Sequence, residues 1–260
     1  MKIAGSSCSW WHHSLEEAVR LAGEAGFTAF EPLMFPEEIF SLHGDLRKMS
    51  AGQIVRLLGD HGMVLAGLHV AAIPTTPPTR YRACIDYNKR AIEVAGETGC
   101  NLVVVGGPDR TTEPFAPFLR ALEELEPLVR GTSVRIALEN HYGNWIQFIQ
   151  DYEHIFDYVK SPNIGLTLDT GHFTAAGVDP EAVARRFGVE KVFHVHIKDH
   201  QGPHSVPLGM GTTNNFGTAR ALKELGYTGY LSQEIECGKG PEADRVAAEG
   251  IHYMRRLLDV

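Results

Sequence analysis

The chain has 260 residues, 43% of them hydrophobic and 22% charged, with a formal net charge of −8. That is ordinary globular material, enough for one large α/β domain or two small ones. The acidic balance disfavours a nucleic-acid partner, which needs clustered Lys and Arg, and leaves a small molecule as the better expectation. No run of about 18 apolar residues occurs and "MKIAGSSCSW" turns polar after four residues, so no membrane span or signal peptide is expected and a cytoplasmic location is. Cys8, Cys84, Cys100 and Cys237 form no CxxC pair, and they read as free thiols.

In chain order, "KIAGSS" reads as a strand, and Ser14 with Glu17 forms an S-x-x-E cap ahead of a helical stripe that Gly26 closes. "FTAFEP" is strand-like; Ser50 and Gln53 cap the next helix before the strand "VLAGLHV". The alternation continues: "YNKRAIEVAGETG" leads into "NLVVVGG", "FLRALEELEPLVRG" into "VRIALEN", and "FIQDYEHIFDYVK" into "NIGLTLDTGH". Asp179 and Pro180 open the helix before "KVFHVHIKD", and "TARALKELG" precedes "YLSQEIE" and a last amphipathic helix. Eight such β/α units without a composition break predict a single (β/α)8 TIM barrel over residues 1–260. A doubly wound open sheet is the alternative, but no GxGxxG turn follows the first strand.

In a barrel the C-terminal strand ends share one mouth. Strand five ends in Glu139 and strand six in Asp169, strand seven carries His194 and His196, and strand eight carries Glu234 and Glu236. Carboxylates crowded in that way repel one another, whereas a divalent cation turns the crowding into coordination. The mixed oxygen and nitrogen set suits Mn²⁺, Mg²⁺, Co²⁺ or Zn²⁺. His194, His196 and Lys198 share one strand face because the side-chain period is two. His196, nearer the mouth, is the better ligand; His194 reads as a histidine of the layer below.

"ALENH", "LDTGH", "HVHIKD" and "LSQEIE", in this order on strands five to eight, resemble the xylose-isomerase-like TIM-barrel superfamily of sugar isomerases and epimerases, and the resemblance spans essentially the whole chain. It implies Glu139, Asp169, His196 and Glu234 as metal ligands and His172 facing substrate. Strand four ends "VVVGGP", without the histidine that the trinuclear endonuclease IV enzymes of this superfamily carry there. One divalent metal ion, manganese among the candidates, is the consistent count.

The chemistry so implied is isomerisation or epimerisation of a keto-sugar or related polyol through an enediolate, with Glu139 and Glu234 as base and acid on opposite sides of one carbon. A metal-dependent dehydratase or lyase of a keto-sugar or inosose is the alternative; a repair endonuclease and a non-catalytic sugar-binding barrel fit less well. His69 is read as bonding a sugar hydroxyl, orienting a glutamate, or simply packing at its strand end. Glu31 is read as binding substrate or pairing with Lys198, Lys198 as holding an oxyanion or carboxylate, and Trp10 as an aromatic wall or a structural tryptophan. "IPTTPPTRYR" is read as a lid with Arg80 or Arg82 reaching inward, and "GPHSVPLGMGTTNNFG" as a substrate-wrapping, phosphate-binding or plain flexible loop. The sequence leaves room for a homo-oligomer.

Overall fold

Alternating strands and helices whose apolar residues face each other can bury both only by wrapping helices around a parallel sheet, and the computed structural model, which describes residues 1–260, does this as a TIM barrel. Ten strand segments make eight staves: β1 (Lys2–Ser6), β2 (Ala29–Glu31 and Leu33–Met34), β3 (Val64–Leu65 and Leu68–Val70), β4 (Leu102–Gly106), β5 (Arg135–Glu139), β6 (Ile164–Asp169), β7 (Val192–Ile197) and β8 (Tyr230–Gln233). All pairings between staves are parallel, β8 pairs with β1, and both segments of β2 pair with those of β3, which closes the ring. The two interruptions are sequence-local. Pro32 has no N–H to give to the ladder, and Ala66–Gly67 separates the halves of β3.

Helices α1 (Leu15–Ala25), α2 (Ala51–Gly59), α3 (Pro78–Thr98), α4 (Phe115–Val129), α5 (Ile149–Val159), α6 (Thr170–Ala175), α7 (Pro180–Lys191), α8 (Asn215–Glu224) and α9 (Pro241–Arg256) follow the staves. Several of their ends are where the sequence places them, but α3 begins at Pro78 and takes in the end of the stretch read as a lid, and α6 follows β6 where no helix was expected. The Ser14 side chain accepts from Glu17 N–H, Gly26 closes α1 in the left-handed region, Ser50 and Gln53 form a reciprocal capping box, and Asp179 caps α7 ahead of Pro180. No helix is long and apolar enough to cross a membrane.

Strand parity divides the core. Val103, Val105, Ile136, Leu138, Val195 and Ile197 join the helices in one large apolar cluster. The other strand face carries Leu102, Val104 and Ala137 in one small cluster, which Phe193 joins from the register shift in β7, and Ala4, Ala29 and Ala66 in another. Small residues fill part of the barrel interior, and the remaining volume is occupied by buried polar groups that build toward the C-terminal mouth.

Candidate active site at the barrel mouth

Register sets the site. Asp169 on β6 is the lateral neighbour of His196 on β7, which is the neighbour of Ser232 on β8, and Glu139 on β5 pairs with Gly106 and Thr167. Glu234 lies one residue beyond the last paired residue of β8 and is held by its own N–H, which donates to the Ile197 carbonyl at 3.0 Å. Past it, the Ser9 hydroxyl donates to the Gln233 carbonyl and accepts from the Ile235 N–H, each at 3.1 Å.

His196 is fully buried and its two ring nitrogens face different partners. Nδ1 lies 2.7 Å from Glu139 Oε1, 3.5 Å from Glu234 Oε1 and 4.0 Å from Asp169 Oδ2. Nε2 lies 3.0 Å from Glu31 Oε1, whose other oxygen is 2.9 Å from His194 Nε2. Glu31 is therefore a brace beneath the site, wholly buried, and neither the expected substrate ligand nor the partner of Lys198. Burial opposes its ionisation, but the adjacent His194 and His196 hold the carboxyl well below the usual range.

His69, Glu139, His196 and Glu234 offer ligand atoms all within 4.8 Å of one another. His69 thus joins the group expected to hold the metal, with Nε2 3.1 Å from Glu139 and Nδ1 3.5 Å from Glu234. Burial disfavours its charged form, yet the two glutamates outweigh that and push its pKa up to about 10. Asp169 stands at the edge of the group. Its Oδ1 caps the His172 N–H at 2.7 Å, while Oδ2 is buried without a hydrogen-bond partner. Burial, together with Glu234 and Glu139 and against the opposing Lys198 and His196, raises the Asp169 carboxyl to about 7.

Lys198 is buried and tied to carboxylates, 3.0 Å from Glu234, 3.0 Å from Glu236 and 3.5 Å from Asp169. Its ammonium also donates to His172 Nε2 at 3.2 Å, so the His172 proton sits on Nδ1, which has no partner. Burial, Lys198 and His141 all keep the His172 imidazole neutral. Lys198, His172, Glu234 and Glu236 line a cavity of about 320 Å³ at the mouth together with His69 and Glu139, with Phe35 and Asn144 on its walls. A larger groove of about 770 Å³ lies between the β2–α2 loop and α3, but its acidic side chains Glu38 and Asp86 are paired with Arg47 and Arg82. The smaller cavity is the one lined by the buried histidine and carboxylate cluster.

Three further expectations are corrected. Trp10 is fully buried, edge-on to Phe27 at 6.2 Å in the core, and forms no wall against a ligand. Arg82 does not reach inward; it binds Glu124 and Asp86 on exposed helix surface. The glycine-rich segment after β7 opens as a hairpin, Asp199–Gln201 against His204–Val206, and is fastened by Asp199. As strand parity requires, Asp199 faces away from Lys198, and it accepts from the N–H groups of Gly209, Gly211 and Thr213 at 2.9, 3.0 and 3.1 Å. Replacing Asp199 by Ala should therefore cost on the order of 1–2 kcal/mol of local stability, because three N–H groups at the protein surface lose a shared charged acceptor and must turn to water. Faster amide hydrogen exchange confined to about residues 199–214 is the expected readout; an unchanged pattern would remove Asp199 as the fastener.

Sequence reasoning gave no role to Asn140 or His141. The Asn140 side chain bridges to β6, donating to the Asp169 carbonyl at 3.0 Å and accepting its N–H at 2.8 Å. His141 stacks on His172 with ring centroids 3.9 Å apart. The available signal was a polar pair immediately after a strand-end glutamate, which is where a mouth residue must lie.

A family model described as xylose isomerase-like TIM barrel matches residues 19–257. The chain belongs to the xylose isomerase-like TIM barrel family. Inosose dehydratase of Mesomycoplasma hyopneumoniae (strain 7448) is 26% identical over 173 residues, 58% of this chain and 55% of that protein. Inosose isomerase of Bacillus subtilis (strain 168) is 30% identical over 124 residues, 44% of each. The chain spans about half the length of the curated relatives it matches. Among solved structures of the xylose isomerase-like fold, the IOLI protein with a binding zinc atom aligns with a TM-score of 0.76 at 20% identity, covering 99% of this chain and 96% of that one, a likeness of fold.

Proposed function

We propose that the chain is a divalent-metal-dependent isomerase or epimerase of a free keto-sugar or related polyol, working through an enediolate. The observation that carries this reading is the convergence of Glu139, Asp169, His196 and Glu234 at the mouth, with His196 Nδ1 turned toward all three carboxylates and Asp169 Oδ2 buried without a hydrogen bond, the Lys198 ammonium standing 3.5 Å away. A buried carboxylate oxygen without a hydrogen bond among such donors fits a cation. A divalent ion held by these four residues would supply Lewis acidity toward adjacent carbonyl and hydroxyl oxygens of the substrate.

The chain's own groups do the rest. Glu139 and Glu234 come from staves three apart in the ring and both line the cavity, so one can take a proton from a carbon whose opposite face the other serves. Return of the proton to a neighbouring carbon isomerises; return to the same carbon from the other side epimerises. His172 keeps a neutral ring with a free Nδ1–H suited to a sugar oxygen. Lys198 keeps Glu234 and Glu236 in place and offers an ammonium to a developing oxyanion.

The likeness to an inosose dehydratase favours a second reading on the same site, in which the enediolate expels a β-hydroxyl instead of regaining a proton. Incubation with free ketohexoses and inososes, Mn²⁺ and deuterated water separates the two. Deuterium in recovered sugar without loss of water supports isomerase or epimerase chemistry, and an unsaturated product supports the dehydratase. Neither exchange nor elimination across Mn²⁺, Mg²⁺, Co²⁺ and Zn²⁺ would dismiss both.

A further inference from the structure

A second group of metal-capable side chains lies on the rim, outside the site described above. His12 and His13 follow the short 3-10 turn after β1, and Asp244 belongs to the first turn of α9 after β8, so two neighbouring staves bring them together. His13 Nε2 is 2.9 Å from Asp244 Oδ1 and 3.1 Å from Oδ2, and His12 Nε2 is 3.2 Å from the same Oδ1. The three ligand atoms lie within 4.8 Å of one another. Bonds of about 2.0–2.1 Å to a tetrahedral ion place neighbouring ligand atoms about 3.3 Å apart, close to the spacing found here.

The protons show what is missing. The Gly240 N–H donates to His12 Nε2 at 3.0 Å, so this nitrogen carries a lone pair and the ring proton is on Nδ1, which is buried without a partner. His12 Nε2 and Asp244 Oδ1 therefore meet as two acceptors, in a histidine whose side chain is only 10% exposed. His13 Nε2 donates to the Asp244 carboxylate. The Lys239 ammonium lies over the Trp11 ring, 4.5 Å from its centroid, and forms no ion pair with Asp244. No lysine or arginine bridges the two acceptors.

We propose that His12, His13 and Asp244 form a second divalent-metal site, selective for zinc-like ions, that clips the β1–α1 segment to the start of α9. Two imidazoles and one carboxylate suit Zn²⁺, Co²⁺ or Ni²⁺ and not Mg²⁺ or Ca²⁺. On binding, His12 Nε2 gives its lone pair to the ion in place of the Gly240 N–H, which turns to solvent, and His13 moves its proton from Nε2 to Nδ1. Asp244 side-chain exposure of 22% leaves room for water to complete the coordination. This proposal stands independently of the chemistry at the barrel mouth.

Equilibrium dialysis of the full chain against micromolar ZnCl₂ tests it, with wild type compared with Asp244→Asn and His13→Gln. All three keep the mouth residues, so any ion held there cancels in the difference. Wild type should retain one more zinc per chain than either variant, and the variants' affinity for that ion should fall at least about tenfold, with circular dichroism unchanged. His13→Gln leaves α9 untouched, so a folding defect in Asp244→Asn would not decide the matter. Zinc-edge anomalous scattering from wild-type crystals grown with zinc should place a peak bonded to all three residues. Equal zinc counts in the three proteins, or no peak among these side chains, would overturn the proposal.

Discussion

Gln in place of Glu234 or Glu139 is expected to lower turnover by about 10² to 10⁴, the contribution of a positioned acid or base, even with each variant saturated with Mn²⁺. The amide keeps the shape and one oxygen but cannot accept the proton. Both carboxylates are nearly fully buried and lean on the same histidines, His69 and His196, so metal affinity should also fall and saturation must be checked by titration. The informative measurement is exchange of substrate C–H with deuterium at saturating metal. Each variant should lose net conversion, and one of them should still exchange the proton on the face served by its remaining glutamate. Full turnover in either saturated variant would exclude that glutamate as acid or base and pass the role to His172 or Lys198.

The second large effect is expected at a residue that touches neither cavity nor substrate. Glu31 holds His196 Nε2 on one oxygen and His194 on the other, the arrangement by which a carboxylate behind a ligating imidazole fixes its tautomer and orientation. In Glu31→Gln one histidine keeps an acceptor and the other faces an NH₂ group, inside a barrel where nothing can relax into water. Divalent-metal affinity should fall about 10- to 100-fold. Turnover at saturating metal should fall far less than in the Glu139 and Glu234 variants, since proton transfer is left intact. Metal affinity unchanged from wild type would mean that His196 is oriented by its strand alone.

The barrel and the strand-end acids were legible in the sequence because they depend on local rules. Hydrophobic period marks the staves, capping residues such as Ser50 with Gln53 mark helix starts, and side-chain alternation puts His194, His196 and Lys198 on one face and Asp199 on the other. What could not be read depends on distance across the barrel. Glu31 and His196 are 165 positions apart in the chain, and which buried carboxylate meets which imidazole is set by stave tilt and stagger, which no local pattern encodes. Trp10 was open between a sugar-facing wall and a structural tryptophan, and the turn after β1 decides for the second by directing the ring onto Phe27. Asn140 was passed over because an asparagine after a strand is an ordinary turn residue until its partner on β6 is known.

The Ser9 hydroxyl, seated between the Gln233 carbonyl and the Ile235 N–H, has a geometric consequence for the mouth as a whole. Backbone pairing between β1 and β8 stops at Gly5 and Gln233, and beyond that point a side chain stands in for the absent neighbouring strand. The two strands can then part without leaving the peptide groups of Gln233 and Ile235 unpaired. The position of Glu234 is thereby fixed from both sides, by Ile197 on β7 and by Ser9 after β1, although the strand that carries it has already left the ladder with β1.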